Sequence, residues 1–264
     1  MNMVPAKLES RDMSKFSFAR SALMVVGALS LMACSGGADS ADTGARTQFE
    51  RSDDRAKGSA DAPVTIIEYA SVACGGCAAW HETAMPTVQE FVDTGDVRFV
   101  MREMLTGQPN LAIAGFMLAN CVEDERYYDV IDVLFDQQRA LFQGMQTGTA
   151  QTQFEAIARS AGLDADAFRT CMTDESNLNA VQERSAQATA DGIGSTPTFI
   201  VNGDLLETVS HPDITGGAYG VNGEALIDAN GPIPASFSGE TFERIILYFK
   251  NQAEGSAATD GSAG

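Results

Sequence analysis

The sequence predicts an α/β fold, on three observations. Val64 to Ala70, bounded by Pro63, is a short apolar and β-branched run that reads as a core strand. It leads into Cys74-Gly75-Gly76-Cys77, after which His81, Met85, Val88 and Val92 recur at helical spacing. Far downstream, past a long helical block, Thr198 to Val201 is a second strand-like run that ends at Asn202-Gly203, a strong hairpin signal.

Residues 1–33 read as a targeting segment, with Lys7, Arg11, Lys15 and Arg20 ahead of an uncharged, mostly apolar run from Ser21 to Ala33. That run is short for a bilayer span and suits a signal peptide. Its end, Leu31-Met32-Ala33-Cys34, is similar to a bacterial lipobox, which implies lipidation of Cys34. Ser35 follows rather than Asp, so the usual sorting rule implies the outer membrane over the inner. An ordinary signal with an incidental Cys34 is the alternative. Residues 34–60 are expected as a tether and linker, Gly, Ser, Ala and Asp rich at first.

The main domain is expected over 61–252. The residues after Cys77 predict a helix over about Ala78 to Val92, kinked at Pro86. Cys74 then sits at a helix start, where unpaired N–H groups and the dipole stabilise a thiolate. Two cysteines at this spacing can close a small disulfide ring, so the pair reads as a dithiol that exchanges with other disulfides. Glu68 is an acid in an apolar strand, six residues before Cys74. Buried, it would move protons to and from Cys77; at a strand end it would merely face water.

Asp96 to Met101 reads as the next strand. A helical block at about 107–191 follows, with helices marked by Leu111–Val122, Tyr128–Phe135, Phe154–Ala161, Phe168–Met172 and Leu178–Ala188. Gly162 and Gly192 read as helix stops and Asp164 as a cap. Residues 208–237 are Gly rich and read as an irregular excursion. Phe242, Ile245, Ile246 and Phe249 give a last amphipathic helix, and 253–264 reads as a disordered tail.

Five cysteines divide by role. Cys34 is taken by lipid, Cys74 and Cys77 are the redox pair, and Cys121 and Cys171 are left. In an exported protein the last two most often pair, with two buried free thiols as the alternative. The net charge of −19 argues against nucleic acid and against electrostatic binding to anionic lipid.

The series strand, Cys-x-x-Cys helix, strand, helical block, Thr-Pro before a hairpin, final helix resembles the thioredoxin fold with an inserted helical domain. It looks most like the DsbA-type disulfide oxidoreductases, over roughly 61–207 and 238–252. Ala62-Pro63-Val64-Thr65, Glu68-Tyr69-Ala70-Ser71, Cys74 with Cys77, Trp80-His81 and Gly194-Ser195-Thr196-Pro197-Thr198-Phe199 carry the resemblance. By that similarity Cys74 is the nucleophile and Cys77 the resolving thiol. Glu68 is the proton-handling acid, and Thr196-Pro197 is a cis-proline loop facing the disulfide. Cys121 and Cys171 fall where some relatives carry a structural disulfide. Gly75-Gly76 departs from the Pro-His of strongly oxidising members and leaves the direction of electron flow open.

The leading function is therefore oxidation of exported proteins on the periplasmic side of the envelope. A membrane redox partner would restore the disulfide, no cofactor is expected, and the protein is expected as a monomer. The same residues would serve a reductase or isomerase. A second class is a copper-handling lipoprotein using Cys74 and Cys77, but it lacks further ligands beyond His81 and His211, and His81 reads better as a core or hydrogen-bonded histidine. A redox-dead adaptor is disfavoured because both cysteines are present.

Overall fold

The computed structural model describes residues 50–260. The expected signal segment, Cys34 and most of the tether lie outside the described residues.

Strand β1 is Ala56–Lys57 and β2 is Val64–Ala70. Helix α1 spans Gly75–Thr83, α2 Met85–Asp93, and β3 follows at Val97–Glu103. Six helices come next: α3 Pro109–Ala119, α4 Tyr127–Asp136, α5 Gln138–Thr147, α6 Ala150–Ser160, α7 Ala165–Met172 and α8 Glu175–Ala190. Strands β4 Thr198–Val201 and β5 Asp204–Leu205 return to the sheet. Then come β6 Glu207–His211, β7 Ile214–Val221, β8 Glu224–Ala225, β9 Ile227–Asp228, β10 Gly231–Pro232, and α9 Gly239–Asp260.

The main sheet runs β1-β3-β2-β4-β5. Central β2 pairs parallel with β3 and antiparallel with β4, and all seven of its residues are buried. Because side chains alternate along a strand, Ile66 and Glu68 face one side with Trp80, Phe99 and Phe242, while Ile67 and Tyr69 face the other with Val100, Ala188 and Ile193. Fold class and helical insertion are as the sequence predicts.

Several local expectations change. The single kinked helix is two helices meeting at Ala84. Pro86 lies in the first turn of α2, where its missing N–H costs nothing. The linker expected up to residue 60 contributes β1, whose Ala56 and Lys57 pair with Val100 and Phe99. Helix α5 had too few apolar positions to be seen. The excursion over 208–237 is not irregular: β6, β7 and β8 form an antiparallel sheet, and β9 pairs with β10. Its glycines hid the alternation, yet they fit the packing. A β-carbon on Gly220 would lie 2.6 Å from the Glu224 carbonyl oxygen and 2.9 Å from the Val209 methyls. Helix α9 runs on to Asp260, beyond Ala253 where a disordered tail was expected.

Asn202-Gly203 makes the expected turn, and Asn222-Gly223, inside the supposed excursion, makes another. Asn202 and Gly203 have φ of 50° and 90°, and Asn222 and Gly223 have 53° and 81°. A two-residue hairpin turn of this hand needs positive φ at both positions. Asn202 also accepts from Thr65 N at 2.7 Å and donates to the Pro63 carbonyl at 3.1 Å. The hairpin is thereby pinned to the start of β2.

Candidate active site

Strand β2 ends in a loop, Ser71 to Cys74, that delivers Cys74 as the N-cap of α1. The loop is held from three directions. Ser71 Oγ donates to the Thr106 carbonyl at 3.0 Å and accepts from Ala73 N at 3.2 Å. Gln138, at the start of α5, donates to the carbonyls of Val72 and Cys74 at 2.9 and 3.0 Å. Gly107, with φ of +74°, lies so close that a β-carbon there would be 2.1 Å from the Ala73 carbonyl oxygen.

Cys74 and Cys77 are both free thiols, the first half-buried and the second buried. Cys74 Sγ accepts from Cys77 N at 3.3 Å and lies 3.4 Å from the Thr196 carbonyl, to which the thiol can donate. Thr196-Pro197 is a cis peptide, as the resemblance implies. The Cys77 thiol bonds to Cys74 and, with Thr196 and the N–H groups of Cys77 and Gly76, brings the Cys74 pKa down to about 5 against the opposing effect of burial. Burial, the bond to Cys74 and the charge of Glu68 push Cys77 far above the ordinary thiol range.

Glu68 is fully buried. Its Oε2 shares a hydrogen bond with His81 Nε2 at 2.9 Å, and its Oε1 has no protein partner among the described residues. Burial raises its pKa, His81 pulls the other way, and the Cys74 charge adds to the rise. His81 stacks on Phe135 with ring centroids 3.9 Å apart and lines a cleft of about 560 Å³ between α1 and the junction of α4 and α5. The pair is thus almost wholly buried, with only the edge of the His81 side chain exposed at the cleft.

The structure brings Glu68, Cys74, Cys77, Thr196 and Pro197 together. Cys121 and Cys171 form a disulfide in the helical block with S–S of 2.07 Å, linking the end of α3 to α7. His211 sits on β6 beside Asp213, and among the described residues no three His, Cys, Asp or Glu side chains gather as a metal site would need. Gln138 and the pairing of His81 with Glu68 were not foreseen. His81 stands four residues after Cys77, but nothing in its spacing tells which strand residue it meets.

A family model described as thioredoxin matches residues 50–216. Among curated proteins, one of Rickettsia bellii described as a candidate protein-disulfide oxidoreductase is 26% identical over 160 residues, 60% of each chain. Disulfide bond formation protein D of Bacillus subtilis is 24% identical over 166 residues, 59% of this chain and 71% of that protein. The chain thus spans about 60% of the length of the Rickettsia bellii relative. The crystal structure of Wolbachia pipientis alpha-DsbA1 superposes with a TM-score of 0.61 at 21% identity, covering 80% of this chain and 97% of that one. That likeness bears on the fold.

Proposed function

Since the chain belongs to the thioredoxin family, we propose that it is a thiol:disulfide oxidoreductase of the bacterial cell envelope that passes a Cys74-Cys77 disulfide to exported proteins. One observation carries the reading. A half-exposed sulfur caps a helix and accepts an N–H, above a buried sulfur backed by a buried acid.

In the forward direction a substrate thiolate attacks Cys74 Sγ of the disulfide. The bond between Cys74 and Cys77 breaks, and its electron pair leaves on Cys77. Cys77 is far too weak an acid to stay ionised where it is, so it takes a proton, which Glu68 supplies and His81 replaces from the cleft. A second substrate thiolate then attacks the substrate sulfur of the mixed disulfide. The substrate leaves oxidised by two electrons, and Cys74 leaves as the stable thiolate. The carbonyl of Thr196 and the ring of Pro197 form the wall on which the substrate backbone lies. A membrane redox partner takes the two electrons back.

The low Cys74 pKa favours oxidation over the reductase or isomerase reading. A disulfide oxidises best when its reduced form is stabilised, and here the Cys77 groups and Thr196 provide what Gly75-Gly76 lacks. Export is supported by residues 1–33, and lipidation at Cys34 would tether a monomer to the periplasmic side of the outer membrane. Cys34→Ala should then lose acyl incorporation and signal processing.

The test of exchange is trapping. Cys77→Ser has no disulfide of its own, so its Cys74 thiolate attacks the disulfide of an oxidised partner, one partner sulfur leaves as a thiolate, and without Cys77 to displace it the partner should stay attached until reductant is added. Cys74→Ser should trap little. Trapping by Cys74→Ser instead of Cys77→Ser would reverse the roles.

A further inference from the structure

Away from Cys74, the helical block holds a cavity of about 550 Å³ between α3, α6 and α7. Its apolar walls are Ala114, Phe154, Ala158, Leu163, Phe168 and Met172. It shares no lining residue with the cleft at His81. Helix α7 is pinned at its two ends more firmly than along its length. Asp164 caps one end, accepting from Asp166 N and Ala167 N at 3.0 and 2.8 Å. The disulfide from Cys171 to Cys121 ties the other end to α3. Between these ties no residue of α7 is fully buried, and Phe168 and Met172 only partly cover the buried Phe154 and Ala158 of α6.

Four charged residues reach this lining, Glu155, Arg159, Asp164 and Arg169. Three are engaged. Glu155 accepts from Gln151 at 3.0 Å, Asp164 is the cap, and Arg169 donates to Asp166 at 3.0 Å. Arg159 is exposed and so stands at the mouth, and among the described residues its guanidinium has no hydrogen bond or ion pair. A guanidinium is a planar fork of donors that fits a carboxylate, and its aliphatic stem can lie along an apolar wall.

We infer that the cavity is a binding site for a free fatty acid of medium chain length, with the alkyl chain among Phe154, Phe168 and Met172 and the carboxylate on Arg159. Small-molecule sites occupy roughly 300–1,000 Å³ and are mostly apolar, with a few polar groups that fix orientation. This cavity meets that description in size and lining. Each methylene gains by leaving water for the apolar walls. The carboxylate stays at the surface, where it loses little hydration and meets a cation. A neutral alkyl chain would leave Arg159 unused, and an alkylammonium would be repelled by it. The chain's net charge of −19 opposes approach to an anionic membrane, which favours a free acid over a lipid still in its bilayer.

The probes are octanoate, decanoate, dodecanoate, decanol and dodecyltrimethylammonium, each below its micellar concentration, titrated into the oxidised full chain in a calorimeter. Dodecanoate should bind as one molecule per chain. Decanoate should bind about tenfold more weakly, and octanoate about tenfold more weakly again, the scale of two methylenes at each step. Arg159→Gln should weaken decanoate about tenfold, the loss of one charged hydrogen-bonding partner, and leave decanol unchanged. Ala158→Phe fills the cavity from α6 and should abolish uptake. Ala165→Trp should do the same from an exposed lining position outside the core, and its native circular dichroism spectrum would exclude misfolding as the cause. No binding of dodecanoate, or wild-type binding by Ala165→Trp, would overturn the site. Equal affinity for dodecyltrimethylammonium, or an Arg159→Gln that weakens decanol as much as decanoate, would overturn the assignment of the carboxylate to Arg159. Binding to phosphatidylglycerol vesicles without uptake of dodecanoate would make this face a membrane contact and overturn the free fatty acid.

Discussion

At Cys74 the surroundings set a charge that cysteine alone does not carry at neutral pH. With its pKa brought from 9.0 to about 5, the folded reduced protein holds a thiolate across pH 5 to 9 while the unfolded chain holds a thiol. Folding then releases a proton, so this group's contribution to stability is complete above pH 9 and is lost as pH falls through about 5. Reduced wild type should gain on reduced Cys74→Ala in denaturant midpoint as pH rises across that window, and alkylation of Cys74 should be half-maximal near pH 5. Glu68 has the opposite sign. Its raised pKa means the unfolded chain ionises first, so its contribution to stability falls as pH climbs past the ordinary carboxylate range. Glu68→Gln should therefore be more stabilising at pH 7 than at pH 4, by about 1.4 kcal/mol for each unit of elevation removed, while protonation of Cys77 and hence turnover slow. The burial of Glu68 was legible because an acid stands alone in an apolar strand six residues before a cysteine. Gln138 was not: its use depends on a carbonyl 64 residues away in the chain.

Among elements, the Cys74 loop depends on what the helical block sends back to it. Gly107→Ala would bring a methyl group to 2.1 Å from the Ala73 carbonyl oxygen at a φ of +74° that disfavours side chains. The loop must move, so this variant should lose about 1–3 kcal/mol of stability and show a higher Cys74 pKa in the alkylation assay. Gly95→Ala, also at positive φ but with open space around it, should cost stability without touching that pKa. The bridge between Cys121 and Cys171 spans 50 residues. Replacing both by Ala should cost about 2–4 kcal/mol in denaturant unfolding, with the Cys74 pKa unchanged. Apolar runs and repeats marked α3, α4, α6, α7 and α8, helped by the Asp164 cap of α7 and by the glycines after α6 and α8. They missed α5, whose short apolar set and Gly148 stop did not stand out, and they missed β1, a two-residue edge that exists only because β3 offers it partners.

At the scale of the whole molecule, 36 acidic residues against 17 basic ones make a surface of net charge −19. Exchange with basic reduced peptides should therefore slow as salt rises, and exchange with acidic ones should quicken, because screening removes attraction and repulsion alike. Stopped-flow rates at several ionic strengths check both. The order of strands and helices could be read from the chain since each local signal agrees with the global fold. The β6 to β10 sheet could not, because its strands are short and its register is kept by glycines at close approaches rather than by an apolar pattern. The strand order has a further effect, on timing. Central β2 finds β3 some 30 residues later, but β4 pairs its Glu68 with Phe199, more than 130 residues on. Cys74 meets Thr196 only at that second pairing. During synthesis the sulfur thus lacks its Thr196 partner until nearly the whole domain has emerged, and a truncated or stalled chain carries a Cys74 thiolate without that part of its stabilisation.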